Sequence, residues 1–240
     1  MDVPMNRNPT RMWDSMERWV KRIEDLVEQQ VTDDPELITM VEKLRELNVR
    51  AELVWLRKFL EKVSSPVVFC HNDMQEGNIL LRNGDVEGRR TEPVLEDIIV
   101  DDLVVIDFEY CGYNRRGFDL ANYFVEWMYD YQNDSHPYFW SRPKKDHATV
   151  EQKGQFVEAY LSTLTESPKY RERPEDTTEH ILKEIEFYTL ASHFFWSLWS
   201  VVSNSNVFTR AAQFDYWCYG ERRFKEYYSH KAKLLKHSVR

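Results

Sequence analysis

The feature that most constrains the fold is a polar segment enclosed by two short apolar runs. Val67 to Cys70 reads VVFC, and Asn78 to Leu81 reads NILL. Short runs rich in β-branched and aliphatic residues, bounded by turn-forming residues, are typical of buried strands. We therefore predict two buried strands in a small β-hairpin, which carries the polar segment HNDMQEGN between its apolar runs.

This polar segment contains Asp73, followed five residues later by Asn78, with His71 two residues before the aspartate. The spacing is typical of a kinase catalytic loop, in which the aspartate accepts the proton of the substrate hydroxyl and the asparagine holds Mg²⁺. Downstream, the run VVIDFEY places Asp107 where the second metal-binding aspartate of such an enzyme belongs. The sequence thus supplies oxygen ligands from two separate positions, as metal-bound ATP phosphates require.

A single HxDxxxxN string has a simpler interpretation, as a turn whose aspartate and asparagine bond local backbone amides. The flanking strands and the following VVIDFE run favour the phosphotransferase interpretation. In that interpretation His71 is a structural hydrogen-bonding residue behind the loop. Asp119, in the string GFD, is expected to fix the loop by hydrogen bonding.

Longer strings make the resemblance specific. VVFCHNDMQEGNILL, then VVIDFEYCGYNRRGFDLANYFVEWMYDY, then ASHFFWSLWS resemble the choline/ethanolamine kinase family, in its choline kinase branch. The resemblance implies an α+β, protein-kinase-like fold, of which this chain is the mostly helical C-terminal lobe. It also implies ATP-dependent phosphorylation of choline to phosphocholine, the first step of phosphatidylcholine synthesis, with Mg²⁺ and with ethanolamine as a poorer substrate.

The same resemblance implies roles for individual residues. Asp73 is the expected catalytic base, Asn78 and Asp107 are expected Mg²⁺ ligands, and Gln75 and Asp107 are expected nucleotide contacts. The expected choline-binding residues, all but one aromatic, are Tyr110, Glu126, Tyr131, Trp196, Trp199 and Tyr216. Aromatic faces suit a quaternary ammonium, which has no hydrogen to donate, and contribute roughly 0.5–2 kcal/mol each. By spacing alone, the tryptophan pair and the segment NYFVEWMYDY would instead be helical core packing.

Apolar periodicity predicts that most of the remaining chain is helical. The helical stretches are expected at about 10–27, 34–63 with a break near Asn48, 149–164, 176–203 and 214–236. The fourth of these is apolar nearly all round towards its end, so it should be buried. The predicted parts of the chain are a helical lead-in over 1–66, a catalytic and metal-binding core over 67–131, and a helical choline-binding part over 132–240. The polar stretch 82–102 is expected to be a long exposed connection.

Composition excludes several classes of protein. The formal net charge is −9 and the lysines and arginines are scattered, which argues against a nucleic-acid surface. No apolar run reaches membrane-spanning length and no signal-peptide pattern opens the chain, so a cytoplasmic location is expected. Cys70, Cys111 and Cys218 are far apart and lack metal-ligand spacing, which predicts reduced thiols.

The part of a kinase that covers the phosphates is not recognisable. The seven glycines nowhere form a Gly-rich loop, and no strand-rich segment precedes Thr10 to carry the phosphate-orienting Lys and Glu pair. We therefore expect the N-terminal, ATP-covering lobe to be absent from this chain.

Two functions from different classes follow. The first is a choline kinase; the second is a truncated, inactive module that binds choline or pairs with a full-length kinase. Because the related enzymes form dimers, a homodimer is also an expected assembly. An aminoglycoside-type phosphotransferase shares the HxDxxxxN core, but the tryptophan pair argues against it. A protein kinase is disfavoured because Glu109 replaces the expected glycine and no Ala-Pro-Glu segment follows.

Overall fold

The structure, a computed structural model, describes residues 6–29, 35–82, 102–204 and 214–237. The α-helices in these ranges are α1 (Arg11–Gln29), α2 (Pro35–Leu47), α3 (Val49–Leu60), α4 (Arg116–Glu126), α5 (Val150–Glu166), α6 (Thr178–Asn204) and α7 (Tyr216–His237). The strands are β1 (Val67–Cys70), β2 (Ile79–Leu81), β3 (Leu103–Val105), β4 (Gly112–Arg115), β5 (Tyr129–Asp130) and β6 (Trp140–Ser141). The described part of the chain is therefore mostly helical, with small sheets.

Local capping signals set several helix boundaries. The Thr149 hydroxyl accepts a hydrogen bond from the Gln152 amide, and the Gln152 side chain accepts one from the Thr149 amide, so α5 begins with a capping box. Asn48 adopts a left-handed backbone conformation with φ 41° and separates α2 from α3. Its side chain accepts from the Ala51 amide and caps α3. Both boundaries confirm the sequence prediction.

Helix α6 lies at the centre and packs against α1, α4, α5 and α7. Its second half is buried nearly all round, as predicted, and each of its larger apolar side chains contributes roughly 1.5–3 kcal/mol by leaving water. Gly117 permits the close approach of α4 to α6, because a Cβ atom there would lie 2.5 Å from the ring of Tyr188. The crossing is also held by the buried Arg116, which forms ion pairs of 2.6 Å with Asp176 and 2.5 Å with Glu184.

The strand pairing differs from the predicted hairpin. Strand β1 pairs antiparallel with β4, with Val67 opposite Arg115, whereas β2 pairs antiparallel with β3, with Ile79 opposite Val105. The polar loop therefore joins strands of two different sheets. The prediction that both strands are buried is also wrong, because only Cys70 of β1 is buried and Leu80 of β2 is 46% exposed. A two-stranded sheet leaves one face open to solvent.

Two further predictions concern segments near this core. The helical interpretation of NYFVEWMYDY holds only as far as Glu126, where α4 ends, since Tyr129 and Asp130 lie in β5. The expected exposed connection between β2 and β3 lies mostly at residues 83–101, outside the described residues.

The cysteines are free thiols, with Cys70 and Cys111 buried, which confirms the prediction of unpaired cysteines. Across the described ranges, every helix is too short or too polar to cross a membrane.

Candidate active site

The loop after β1 is anchored by Asp119 of α4. Its carboxylate accepts hydrogen bonds from the backbone amide of His71 at 3.0 Å and from that of Asn72 at 2.7 Å. Burial raises the pKa of Asp119, and these two amides oppose the rise. Asn72 takes a left-handed backbone conformation with φ 67°, and its side-chain amide donates to the carbonyl of Tyr110 at 2.9 Å. The structure confirms that Asp119 fixes the loop by hydrogen bonding.

His71 connects the loop to the segment that carries Asp107. Its Nδ1 atom accepts from the backbone amide of Asp73 at 3.3 Å, so the proton of the neutral ring lies on Nε2. That nitrogen donates to the carbonyl of Ile106 at 2.9 Å. The Ile106 amide in turn donates to the carbonyl of Asn78 at 3.0 Å. His71 is thus a structural residue, as predicted, and holds the two functional segments side by side.

Asp73 and Asn78 contact each other directly. The Asn78 amide nitrogen donates to the Asp73 carbonyl at 2.8 Å and lies 3.4 Å from the Asp73 carboxylate. Burial raises the pKa of Asp73 to about 7, with further contributions from the negative charges of Glu126 and Asp107. A carboxylate with a raised pKa in a cleft is typical of a general base.

Asp107 stands in a conformation that is uncommon for a residue with a side chain. Its backbone is left-handed, with φ 61° and ψ 64°, at the start of a 3₁₀ turn over Phe108–Tyr110. Its carboxylate makes no hydrogen bond to the turn that it precedes, although aspartate commonly caps such turns. Strained backbone of this kind is often found at functional sites. The exposed carboxylate is therefore a candidate ligand for a cation.

A cavity of about 380 Å³ opens beside Asp73. It contains the predicted catalytic and choline-binding residues together with one predicted nucleotide contact. Its lining residues are Asp73, Gln75, Glu109, Tyr110, Glu126, Tyr131, Trp196, Trp199, Phe214, Tyr216 and Tyr219. Asn78 and Asp107 are outside this lining. The structure thus brings together the expected choline-binding residues and Asp73, and Asp73 is in direct contact with Asn78.

The aromatic side chains surround one end of this cavity. Trp196 and Trp199 lie on one face of α6, with ring centroids 5.3 Å apart and planes at 81°. Tyr216 lies 5.5 Å from Trp199, and Tyr110 lies 5.3 Å from Trp196. The Trp196 indole donates to the side-chain oxygen of the buried Asn122 at 2.8 Å, which fixes its ring plane. The four rings therefore contact one another edge to face and line the same cavity, although Trp196 is also largely buried in the core.

Glu126 is the anionic residue of this end of the cavity. The Arg223 guanidinium donates to one of its carboxylate oxygens at 2.8 Å, and the Tyr131 hydroxyl donates to the other at 2.7 Å. Arg223 is fully buried and also donates to the hydroxyl of Ser192 at 3.0 Å. The hydroxyl groups of Tyr131 and Tyr219 share a hydrogen bond, with their oxygen atoms 3.1 Å apart. The carboxylate is therefore held in one orientation by two donors.

Sequence reasoning missed several residues of the site. Tyr219 and Phe214 line the cavity, and Arg223 and Asn122 hold the residues that do. Tyr219 could have been found, because it lies one helical turn after Tyr216 and shares its face of α7. No sequence signal identifies Arg223 or Asn122, since their partners lie on other helices.

The mostly helical architecture with small sheets is, first of all, consistent with a kinase-like fold. Residues 1–228 match the family described as choline/ethanolamine kinase, and the chain belongs to that family. Human choline/ethanolamine kinase is 37% identical over 235 residues, which cover 98% of this chain and 54% of the human protein. The chain thus spans about half the length of the curated relatives that it matches.

Solved structures show the same fold. A choline kinase from Cryptosporidium parvum superposes with a TM-score of 0.65 at 24% identity, covering 100% of this chain and 61% of that one. An ethanolamine kinase from Plasmodium vivax gives a TM-score of 0.66 at 21% identity, covering 94% of this chain and 50% of that one. The relatives described here carry kinase names, and the hypothesis of an inactive module finds no support among them.

Proposed function

We propose that this chain carries the alcohol-binding and catalytic-loop part of a choline kinase, which transfers the γ-phosphoryl group of ATP to choline. One observation carries the proposal: a single cavity joins the Asp73 carboxylate, whose pKa is raised to about 7, to an aromatic enclosure that suits a quaternary ammonium. The product would be phosphocholine, the first intermediate on the route to phosphatidylcholine.

The enclosure favours a methylated ammonium over a primary one. Each Glu126 oxygen already accepts one hydrogen bond, from Arg223 or from Tyr131, and seven of the eleven residues that line the cavity are aromatic. A primary ammonium has three hydrogens that need acceptors, whereas a trimethylammonium has none. Choline therefore leaves no donor unsatisfied in this space, and we propose ethanolamine as the poorer substrate.

The chemical step assigns a role to each residue of the loop. The Asp73 carboxylate accepts the proton of the choline hydroxyl as that oxygen forms its bond to the γ-phosphorus, and the bond from this phosphorus to the oxygen of the departing ADP breaks. Gln75, which lines the same cavity, is the proposed nucleotide contact, together with Asp107. Asn78 keeps Asp73 in place through its hydrogen bonds to that residue.

The residues present fit Mg²⁺. Within the described ranges, no three acidic, imidazole or thiol side chains converge closely enough to bind a metal by themselves. Mg²⁺ does not need such a cluster, because it commonly binds through one or two carboxylates, waters and substrate phosphates. The exposed Asp107 carboxylate and the Asn78 side-chain oxygen are hard donors of the required kind. When bound, Mg²⁺ would neutralise the charge of the ATP phosphates.

An exposed apolar patch supports an ATP-covering part above this site. Ile106 and Phe108 flank the candidate metal ligand Asp107 and are 36% and 57% exposed. Exposed apolar side chains beside a functional residue commonly mark an interaction face. We infer that a phosphate-covering lobe, or a partner that supplies one, packs on this patch.

The proposal is tested by measuring phosphocholine formation from choline and Mg-ATP. We expect Asp73→Asn to lower turnover by about 10²–10⁴-fold, the usual contribution of a general base. Glu76→Gln is the matched control, because Glu76 is an exposed carboxylate of the same loop that does not line the cavity. Turnover that is unaffected by Asp73→Asn would contradict the role of Asp73. The assay includes the phosphate-covering lobe, and absence of phosphocholine with the unsubstituted protein under that condition would contradict the proposed activity.

A further inference from the structure

A second cavity, of about 270 Å³, lies elsewhere along the pair of helices α6 and α7. It shares no lining residue with the first cavity. Its walls come from the end of α4, the segment before α5, the first turns of α5, and one face each of α6 and α7. The lysines of these walls are Lys144, Lys153 and Lys233. Basic side chains thus converge from separate elements on a cavity that the proposed kinase reaction does not use.

Lys153 is the central basic group. Its side chain is half-buried on α5, and its ammonium lies 5.7 Å from the centre of the Phe124 ring. It forms no ion pair with a carboxylate of the described residues. Burial lowers the pKa of Lys153, the negative charge of Glu186 opposes this decrease, and the charge of Lys233 adds to it. An anion in the cavity would supply the direct ion pair that this ammonium lacks.

His193 gives an independent indication of a ligand. It is almost completely buried on α6, and its Nδ1 atom has no hydrogen-bond partner among the described residues. Buried polar atoms without a partner are rare in folded proteins, and a water, an ion or another bound molecule commonly satisfies them. The cavity borders this imidazole, so a ligand with oxygen atoms there could satisfy it.

The acidic residues of the cavity do not cancel this positive charge. Glu186 accepts a hydrogen bond from Lys233 at 3.1 Å and lies 3.7 Å from the imidazole of His230. The other carboxylate of the lining belongs to Glu226. Against these two acidic residues stand the three lysines, so the lining has a surplus of one positive charge before any histidine is protonated.

We propose that this second cavity binds a small phosphate monoester. A tetrahedral phosphate presents oxygens in several directions at once, which matches donors that arrive from α5, α7 and the segment before α5. The cavity is larger than one phosphate group, and Phe124, Val125 and Met128 form an apolar wall for the organic part of the ester. This inference does not depend on the proposed kinase activity.

The test uses protein labelled with ¹⁵N at histidine and titrated with inorganic phosphate or with phenyl phosphate at constant ionic strength. We expect the imidazole signals of His193 and His230 to shift saturably, and phenyl phosphate to bind more tightly than inorganic phosphate. Lys153→Gln should weaken binding about 10-fold or more, since hydrogen bonds to charged groups are among the strongest in proteins. Lys233→Gln gives a second variant on another helix.

Lys145→Gln is the matched control, because this exposed lysine neighbours Lys144 but does not line the cavity. Its affinity for phosphate should equal that of the unsubstituted protein. The proposal is overturned if the His193 signal does not respond to either anion. It is also overturned if Lys153→Gln binds phosphate as tightly as the control does.

Discussion

Replacing Arg223 tests how the anionic wall of the first cavity is held. The guanidinium is fully buried, donates to Glu126 at 2.8 Å and to the Ser192 carbonyl at 3.2 Å, and lies 5.1 Å from the Tyr129 ring centre. Arg223→Met would fill much of the same volume but leave the Glu126 carboxylate buried without its cation. We expect this substitution to destabilise the protein strongly.

The magnitude follows from the burial of the pair. Removing one partner of a buried ion pair costs about 3–5 kcal/mol, because the remaining charge is left uncompensated. For a chain of this length, that corresponds to a decrease in melting temperature of about 6–20 °C. The double variant Arg223→Met, Glu126→Leu should recover much of this loss, since an apolar pair of similar volume leaves no buried charge.

Urea unfolding followed by circular dichroism measures this effect. Arg222→Met is the matched control, because Arg222 is the exposed neighbour on the same helix and should change the free energy of unfolding by about 0.5 kcal/mol or less. If Arg223→Met is as stable as Arg222→Met, the buried pair does not hold Glu126. The single variant Glu126→Leu completes the comparison. If the double variant loses as much unfolding free energy as the two single variants together, the two side chains are not coupled.

Three further predictions concern the aromatic enclosure of the first cavity, the loop after β1 and the buried core. Trp199→Ala should weaken choline binding about 2- to 30-fold in calorimetry, whereas Trp140→Ala, at an exposed tryptophan outside the cavity, should not change it. Asp119→Asn should lower turnover but leave the choline dissociation constant nearly unchanged, because it loosens the loop and not the aromatic enclosure. Equal fold-changes in turnover and in choline affinity would contradict this prediction. His193 is buried, and burial lowers its pKa in the folded state well below 6.5. The unfolded state therefore binds more protons in acid, and the free energy of unfolding should fall as the pH decreases below about 6.5. His193→Gln should flatten that dependence in urea titrations at several pH values, and an unchanged slope would refute it.

The helices could be predicted from sequence because their signals are local. The apolar residues of α1 and α6 recur at helical spacing, and the break at Asn48 and the capping box at Thr149 lie within a few residues of the boundaries that they set. The strand pairing could not be predicted in the same way. β1 and β4 are separated by more than 40 residues, and their short apolar runs do not specify a partner.

The same distinction, between local signals and tertiary packing, applies to the residues of the candidate site. Asp73 and Asn78 belong to one contiguous motif, so their proximity follows from the spacing of the loop, whereas the pairing of β2 with β3 brings the segment of Asp107 beside them. Arg223 reaches the site only because α7 packs against α6 and the end of α4. That contact depends on tertiary packing between distant segments, which no local pattern encodes. The residues of the aromatic enclosure could be named by resemblance, but the residues that fix them by hydrogen bonds, Asn122 and Arg223, could not.

The proposed function requires the first cavity to hold the cationic end of choline between aromatic rings, with its hydroxyl end at Asp73. Proton nuclear Overhauser measurements between the choline N-methyl groups and the protein test it most directly, because the nine methyl protons give one sharp signal. We predict cross-peaks from this signal to the indole protons of Trp196 and Trp199 and to the ring of Tyr216. Saturable choline binding without any contact to these three rings would contradict the account.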